Sequence, residues 1–302
     1  MDDQHVPVLL EESLSFLAAE RGGLFVDCTL GLGGHAEALL ARFPEARLLG
    51  IDRDEEALDL AARRLAPYGE RVRFVAGNFH DFGELVGAAE RPAGVLADLG
   101  VSSLQLDRGE RGFSFRREGP LDMRMGGSEM TAADIVNRAS EADMVRIFKE
   151  YGEERQAKRV ARAIVEARRG KPFRTTTELA EVIREAKRRE GRIDAATQVF
   201  QALRIEVNRE LEGLRDFIDE AVRLLDQDGR LVVISYHSLE DRIVKNGLRD
   251  HSRGEVDQVT GRPLAETRLI ETLTKKPIRP SGEEVSLNPR SRSARLRAAR
   301  RI

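Results

Sequence analysis

The sequence predicts an α/β protein in which a doubly wound, mainly parallel sheet is interrupted by an all-helical segment. Three observations carry that prediction. In the first third of the chain, short apolar runs alternate with helical patterns, which implies βαβ units. From about Leu106 to Thr197 no convincing buried strand occurs and helix signals take over. The most strand-like segment of the chain, Arg230 to Ser235, then follows.

The elements are read in chain order. Leu24 to Thr29 is a short apolar strand that runs into the glycine-rich stretch Gly31-Leu32-Gly33-Gly34-His35. A helical pattern from Ala36 to Phe43 is halted near Pro44. Arg47 to Asp52 is a second strand, Glu55 to Leu65 a helix, Val72 to Val75 a third strand and Gly94 to Asp98 a fourth. Right-handed crossovers then stack helices on both faces of the sheet. Thr131 and Ser140 read as helix N-caps, the latter before Asp143 in a capping-box arrangement, and Thr175-Thr176-Thr177-Glu178 opens another helix. A long helical pattern from Phe200 to Leu225 is broken near Gly213 and stops at Asp228-Gly229. Arg268 to Leu273 and Ala294 to Ala299 are expected to pair as a terminal hairpin. The expected architecture is a Rossmann-like domain over residues 1–105 and 200–302, holding an inserted helical domain over 106–199.

Across all 302 residues, Lys+Arg is 50 against Asp+Glu 52, a net charge of −2 that taken whole argues against a nucleic-acid partner. Divided along the chain it reads differently: residues 1–105 carry −9, residues 106–199 carry +4 and residues 200–302 carry +3. Between Arg146 and Arg174 the local net is +6. Arg155, Lys158, Arg159 and Arg162 recur there at helical spacing, either as a phosphate-binding stripe or as a solvated helix face. The basic tail (Arg290, Arg292, Arg295, Arg297, Arg300 and Arg301) either binds RNA phosphate or is a terminal strand. No run approaches the roughly 20 apolar residues of a membrane helix. The start of the chain lacks a signal-peptide pattern, and Cys28 is the lone cysteine. A cytoplasmic protein is expected. The 5 His show no paired spacing, so no metal site is expected.

The stretch from Asp27 to His35 follows a strand and opens a helix, an arrangement that receives anionic or polar ligands. Alone it is also an ordinary tight turn. Asp52, 21 residues after Gly31 at the end of the second strand, adds a carboxylate able to grip ribose hydroxyls. Gly31-Leu32-Gly33-Gly34-His35-Ala36 also fits a dinucleotide pattern, so an NAD-dependent oxidoreductase stays in view. S-adenosyl-L-methionine is favoured because carboxylates crowd the cleft. Asp27 sits at the mouth of the loop, Asp98 ends the fourth strand, and Gly77-Asn78-Phe79 offers an amide and a ring for adenine.

Longer motifs are more specific. Gly33-Gly34-His35, Asp98-Leu99-Gly100-Val101-Ser102-Ser103-Leu104-Gln105 and Glu110-Arg111-Gly112-Phe113-Ser114-Phe115 come first in an ordered series. Gly119-Pro120-Leu121-Asp122-Met123-Arg124-Met125, Tyr151-Gly152-Glu153-Glu154-Arg155 and His237-Ser238-Leu239-Glu240-Asp241-Arg242 complete it. Together they resemble the bacterial small-subunit ribosomal RNA (cytosine-N4)-methyltransferase family over nearly the whole chain. The resemblance implies an S-adenosyl-L-methionine-dependent methyltransferase sheet with an inserted all-helical domain. It implies a cytidine of 16S rRNA in the P-site decoding region as substrate. The sequence leaves open free RNA, a precursor particle or the mature small subunit as the form it takes, and a monomer or a homodimer as the form of the protein. The family's cofactor contacts fall on Gly33, Gly34, His35, Asp52, Phe79, Asp98 and Gln105.

The N4 lone pair of cytosine is delocalised into the ring, so the enzyme must accept the amine hydrogens and hold N4 at attack distance. Amino-methyltransferases commonly use an Asp/Asn-Pro-Pro-Tyr/Phe loop for this, whereas this chain has Asp98-Leu99-Gly100. The expected catalytic set is Asp98, or the backbone beside it, as hydrogen acceptor, with Tyr236 or His237 against the base. Ordinary packing for Tyr236 and a local hydrogen bond for His237 are the competing readings. RNA contacts are expected at Arg111, Phe113, Phe115, Arg124, Arg155 and Arg159, with the two Phe and the neighbouring Met residues alternatively serving as core. An assembly factor that binds the cofactor without transferring its methyl group is the remaining alternative.

Overall fold

The first strand follows from a run too apolar to face water on either side. In the computed structural model, which describes residues 7–87, 90–100, 109–115, 117–126, 129–187, 194–255, 257, 260 and 264–302, it is preceded by helix α1 (Leu10–Leu17). Strand β1 (Gly23–Asp27) is buried over Leu24, Phe25 and Val26. Gly33, in the left-handed region at φ 76, is the N-cap of α2 (Gly34–Arg42). Strand β2 (Ala46–Asp52), α3 (Glu55–Leu65), β3 (Val72–Ala76), α4 (Phe82–Val86) and β4 (Gly94–Asp98) complete the alternating half.

The chain divides into two compact units, Met1–Gly100 with Leu211–Ile302 and Val101–Glu210. The second unit is helical: α5 (Ala132–Arg138), α6 (Glu141–Glu150), α7 (Ala157–Gly170), α8 (Thr176–Ala186) and α9 (Thr197–Asn208). Thr131 with Asp134, and Thr175 with Glu178, form reciprocal capping boxes. At Ser140 the Asp143 amide donates to the hydroxyl, which donates in turn to the Asp143 carboxylate. Val160, Ile164, Leu179 and Ile183 meet Met144 and Phe148 in one apolar core. Val199, Phe200, Leu203 and Val207 join that core, so α9 lies in this unit and not with the sheet as expected from the sequence. Met123 and Met125 are fully buried, and the side chain of Asn208 accepts from the Met125 amide and donates to the Met123 carbonyl.

The chain returns to the sheet through Gly213, the N-cap of α10 (Leu214–Leu224) at φ 68. A Cβ there would stand 2.7 Å from the His80 ring, which is why the helical pattern breaks at a glycine. Strand β5 (Arg230–Ser235), α11 (Ser238–Arg253), β6 (Ile270–Thr272), α12 (Gly282–Leu287) and β7 (Arg295–Arg301) follow. The sheet order is β3-β2-β1-β4-β5-β7-β6, with β1 to β5 parallel and β7 antiparallel to both its neighbours. The terminal pair forms as expected, and the sheet seats its last strand between β5 and β6. Alternate residues of the strands feed two apolar layers. Phe25, Leu48, Leu96 and Val232 face one side, while Val26, Leu49, Val95 and Val233 face the other.

The basic tail is largely structural. Arg297 is buried and pairs with Asp241 at 2.7 Å, Arg300 bonds Asp228 and Glu271, and Arg301 donates to the Leu269 carbonyl. The strand reading of that tail therefore replaces the phosphate reading at these positions. Among the described residues no helix is long and apolar enough to cross a membrane.

Candidate active site

Parallel strands deliver their last residues to one edge of the sheet, and here three of the five strands end in an acid. Asp27, Asp52 and Asp98 end β1, β2 and β4. The strand order reverses between β1 and β4, the place where open α/β sheets bind ligands. Asp27 is buried and accepts from the Thr29 amide at 3.2 Å. Burial pushes its carboxyl up to about 7 against that hydrogen bond, and the charge of Asp52 adds to the rise. Both Asp52 oxygens accept backbone amides, Oδ2 from Gly31 at 2.8 Å and Oδ1 from Asp54 at 2.9 Å. Its carboxyl is also raised, chiefly by burial.

Asp98 is tied at both ends. Its amide donates to Thr29 Oγ1 at 2.6 Å, and its Oδ1 accepts the Tyr236 hydroxyl at 2.9 Å. Burial pushes the Asp98 carboxyl up to about 8; the Tyr236 bond opposes this, while Asp27 and Glu240 reinforce it. The same burial, with Asp98 alongside, lifts the Tyr236 phenol well above its ordinary value and keeps it a hydrogen-bond donor. Gly100, at φ 102, gives the ring room: an added Cβ would lie 3.3 Å from the Tyr236 ring. The half-buried Tyr236 thus gives its hydroxyl to Asp98.

His237 is buried and starts α11. Its Nδ1 accepts the Glu240 amide at 3.4 Å, and its own amide donates to Glu240 Oε2 at 3.3 Å. Its Nε2 lies 3.1 Å from Glu240 Oε1 without hydrogen-bond geometry. His237 thus caps its own helix, as the local reading of this residue has it.

Gly33, Gly34 and His35 lie at the loop as expected, and packing explains much of their identity. A Cβ on Gly34 would meet Pro7 Cγ at 2.6 Å, and the buried His35 ring holds the Val8 carbonyl at 3.0 Å through Nε2. The loop is thereby buttressed by the segment before α1. Phe79 is half-buried after β3, edge-on to Phe217 with ring centroids 5.3 Å apart. Gln105 lies outside the described residues.

In the second unit the expected RNA contacts separate into two kinds. Phe113 is buried in the helical core, and Phe115 packs beside it, edge-on to Phe200 at 5.0 Å. Phe113 is buried and Phe115 half-buried, and both pack on that core as the alternative reading has it. Arg124 is held by Asp122 through two hydrogen bonds of 2.8 and 2.7 Å, and Arg111 is half-buried in a short turn. Arg155 and Arg159, with Lys158, are exposed, and no ion pair engages them among the described residues.

Two contributors escaped the sequence reading, Thr29 and Glu240. Thr29 carries no signal beyond its place after β1. Glu240 did carry one, an acid at capping-box spacing three residues after His237, masked because a histidine occupies the usual Ser or Thr position.

A family model described as the MraW methylase family matches residues 2–302. The chain is 49% identical over 300 residues to the ribosomal RNA small subunit methyltransferase H of Cyanothece sp., covering 99% of this chain and 95% of that protein. It is 46% identical over 313 residues to the protein of that name from Desulfosudis oleivorans, covering 100% of both. To the one from Dehalococcoides mccartyi it is 50% identical over 308 residues, covering 99% of this chain and 86% of that protein. With a family model and close relatives matched from end to end, the chain belongs to the MraW methylase family.

Proposed function

We propose that this protein transfers a methyl group from S-adenosyl-L-methionine to the N4 amine of a cytidine in the P-site region of 16S rRNA. The single observation that carries the chemistry is Asp98, a raised carboxyl at the sheet's ligand-binding edge, fixed through one oxygen by Tyr236. Membership of a methylase family supports methyl transfer, and the names of the relatives support small-subunit rRNA as substrate. The motif series from Gly33 to Arg242 supports the cytidine N4.

The residues fit the cofactor. Three acids brought together until burial raises their carboxyls suit a ligand that arrives with positive charge and suit a diphosphate poorly. Asp27 and Asp52 would hold its amino-acid and ribose ends, with Phe79 beside the adenine and Gly33 and Gly34 shaping the loop. When bound, S-adenosyl-L-methionine supplies a methyl group made electrophilic by the sulfonium.

The remaining work belongs to the protein. Asp98 accepts a hydrogen of the N4 amine, drawing its lone pair out of conjugation and toward the methyl group. That requires the carboxylate form, so the positive charge of the cofactor also prepares Asp98 by favouring its ionisation. The helical unit serves RNA recognition, and Arg155, Lys158 and Arg159 of its exposed face meet phosphates. The cytoplasm, where ribosomal RNA is the substrate, is the setting. Transfer of tritiated methyl groups to naked 16S rRNA and to small subunits, followed by nucleoside analysis, tests the proposal. N4-methylcytidine is the expected product, and an unlabelled RNA overturns it.

A further inference from the structure

Glu240 is more than a helix cap. The two capping boxes of the helical unit use acids that keep a solvent-facing side, Asp134 and Glu178, each 30% exposed in its side chain. The Glu240 side chain is only 3% exposed. A capping-box acid normally spends its bond on the N-cap amide. Glu178 Oε2 accepts the Thr175 N-cap amide at 3.1 Å and, more closely, the upstream Arg174 amide at 2.9 Å. Glu240 Oε2 divides its grip in the same way, accepting the His237 amide at 3.3 Å and the upstream amide at 2.8 Å, but here the upstream residue is Tyr236. A carboxylate buried beside Asp98 is also an unfavourable choice for capping alone, because like charges resist sharing a buried site. What the arrangement achieves is to fix the backbone of Tyr236, whose ring passes Gly100 and whose hydroxyl reaches Asp98.

We infer that Glu240 is a positioning residue for methyl transfer: by gripping the Tyr236 amide it fixes the phenol that orients the Asp98 carboxylate. Tyr236 occupies one lone pair of Oδ1 and leaves Oδ2 to the substrate amine. The inference rests on the reading of Asp98 as the hydrogen acceptor.

The test uses E240D, Y236F, their double variant and D98A in the full-length protein. Aspartate still caps, as Asp134 does at Thr131, but its shorter side chain draws back from the Tyr236 amide. Rates are measured with S-adenosyl-L-methionine and small subunits, with S-adenosylhomocysteine affinity and thermal midpoint alongside. E240D and Y236F are each expected to lower kcat about tenfold with KM within about twofold. In the Y236F background, E240D is expected to lower kcat no further. A wild-type kcat for E240D, or losses that multiply in the double variant, overturns the inference. If D98A is inactive while those losses multiply, only the role of Glu240 falls. If D98A turns over at the wild-type rate, the reading of Asp98 falls and this inference with it.

Discussion

Asp27 makes the electrostatics of the site measurable without any substrate. Its carboxyl stands at about 7 in the folded protein against an ordinary 3.8, mainly because the side chain is buried. That rise corresponds to a free energy on the order of 4 kcal/mol. The folded carboxyl holds a proton that the unfolded chain has released, so the stability set by Asp27 falls as pH rises from about 4 to about 7 and is level above that. Asp27→Asn keeps the shape and cannot ionise. Relative to wild type, the variant should therefore gain stability on the order of 4 kcal/mol between pH 4 and pH 8. The same change relieves Asp98 of a neighbouring charge, which lowers the Asp98 carboxyl and adds to the gain in the same direction. Urea unfolding of the cofactor-free protein at unit steps of pH reads this directly. Parallel stability curves for the two proteins would refute the reasoning, because they would mean that Asp27 is ionised in the fold at little cost.

Other expectations concern catalysis, packing and RNA. Without cofactor Asp98 titrates at about 8, so kcat/KM should rise with pH toward that value, while Asp98→Asn should lose at least about a hundredfold in rate and the pH dependence with it. Gly34→Ala places a Cβ 2.6 Å from Pro7 and should destabilise the sheet unit by about 1–3 kcal/mol, read as a lower thermal midpoint. Replacing Arg155, Lys158 and Arg159 by Gln should weaken rRNA binding and flatten its salt dependence by about 0.7 in log–log slope for each phosphate left without its cation, with S-adenosylhomocysteine affinity unchanged. An unchanged slope would remove that face from the RNA interface.

The parts of the fold that were legible are those set by local chemistry. Leu24 to Val26 had to be a doubly buried strand, Gly213 had to break its helix, Thr131 announced its helix as an N-cap, and Thr175 announced another through Glu178 three residues on. Asp27, Asp52 and Asp98 were legible as a group because parallel strands bring their ends together whatever lies between them. What escaped depended on long-range packing. Phe113 and Phe115 sit among arginines in sequence, and only the folded helical core shows Phe113 buried in it and Phe115 packed against it. Tyr236 and Asp98 lie 138 residues apart, so the hydrogen bond that joins them has no sequence signature. The arginines of β7 read equally as a nucleic-acid tail or a strand, because the acids that neutralise them, Asp241, Asp228 and Glu271, come from other elements.

The most direct measurement of the central claim is methyl transfer from S-adenosyl-L-methionine labelled with tritium to purified small subunits, with wild type and Asp98→Ala side by side and the RNA digested to nucleosides. The label should appear as N4-methylcytidine with the wild type and be lost with the variant. Label on any other nucleoside, or equal transfer by Asp98→Ala, would contradict the account.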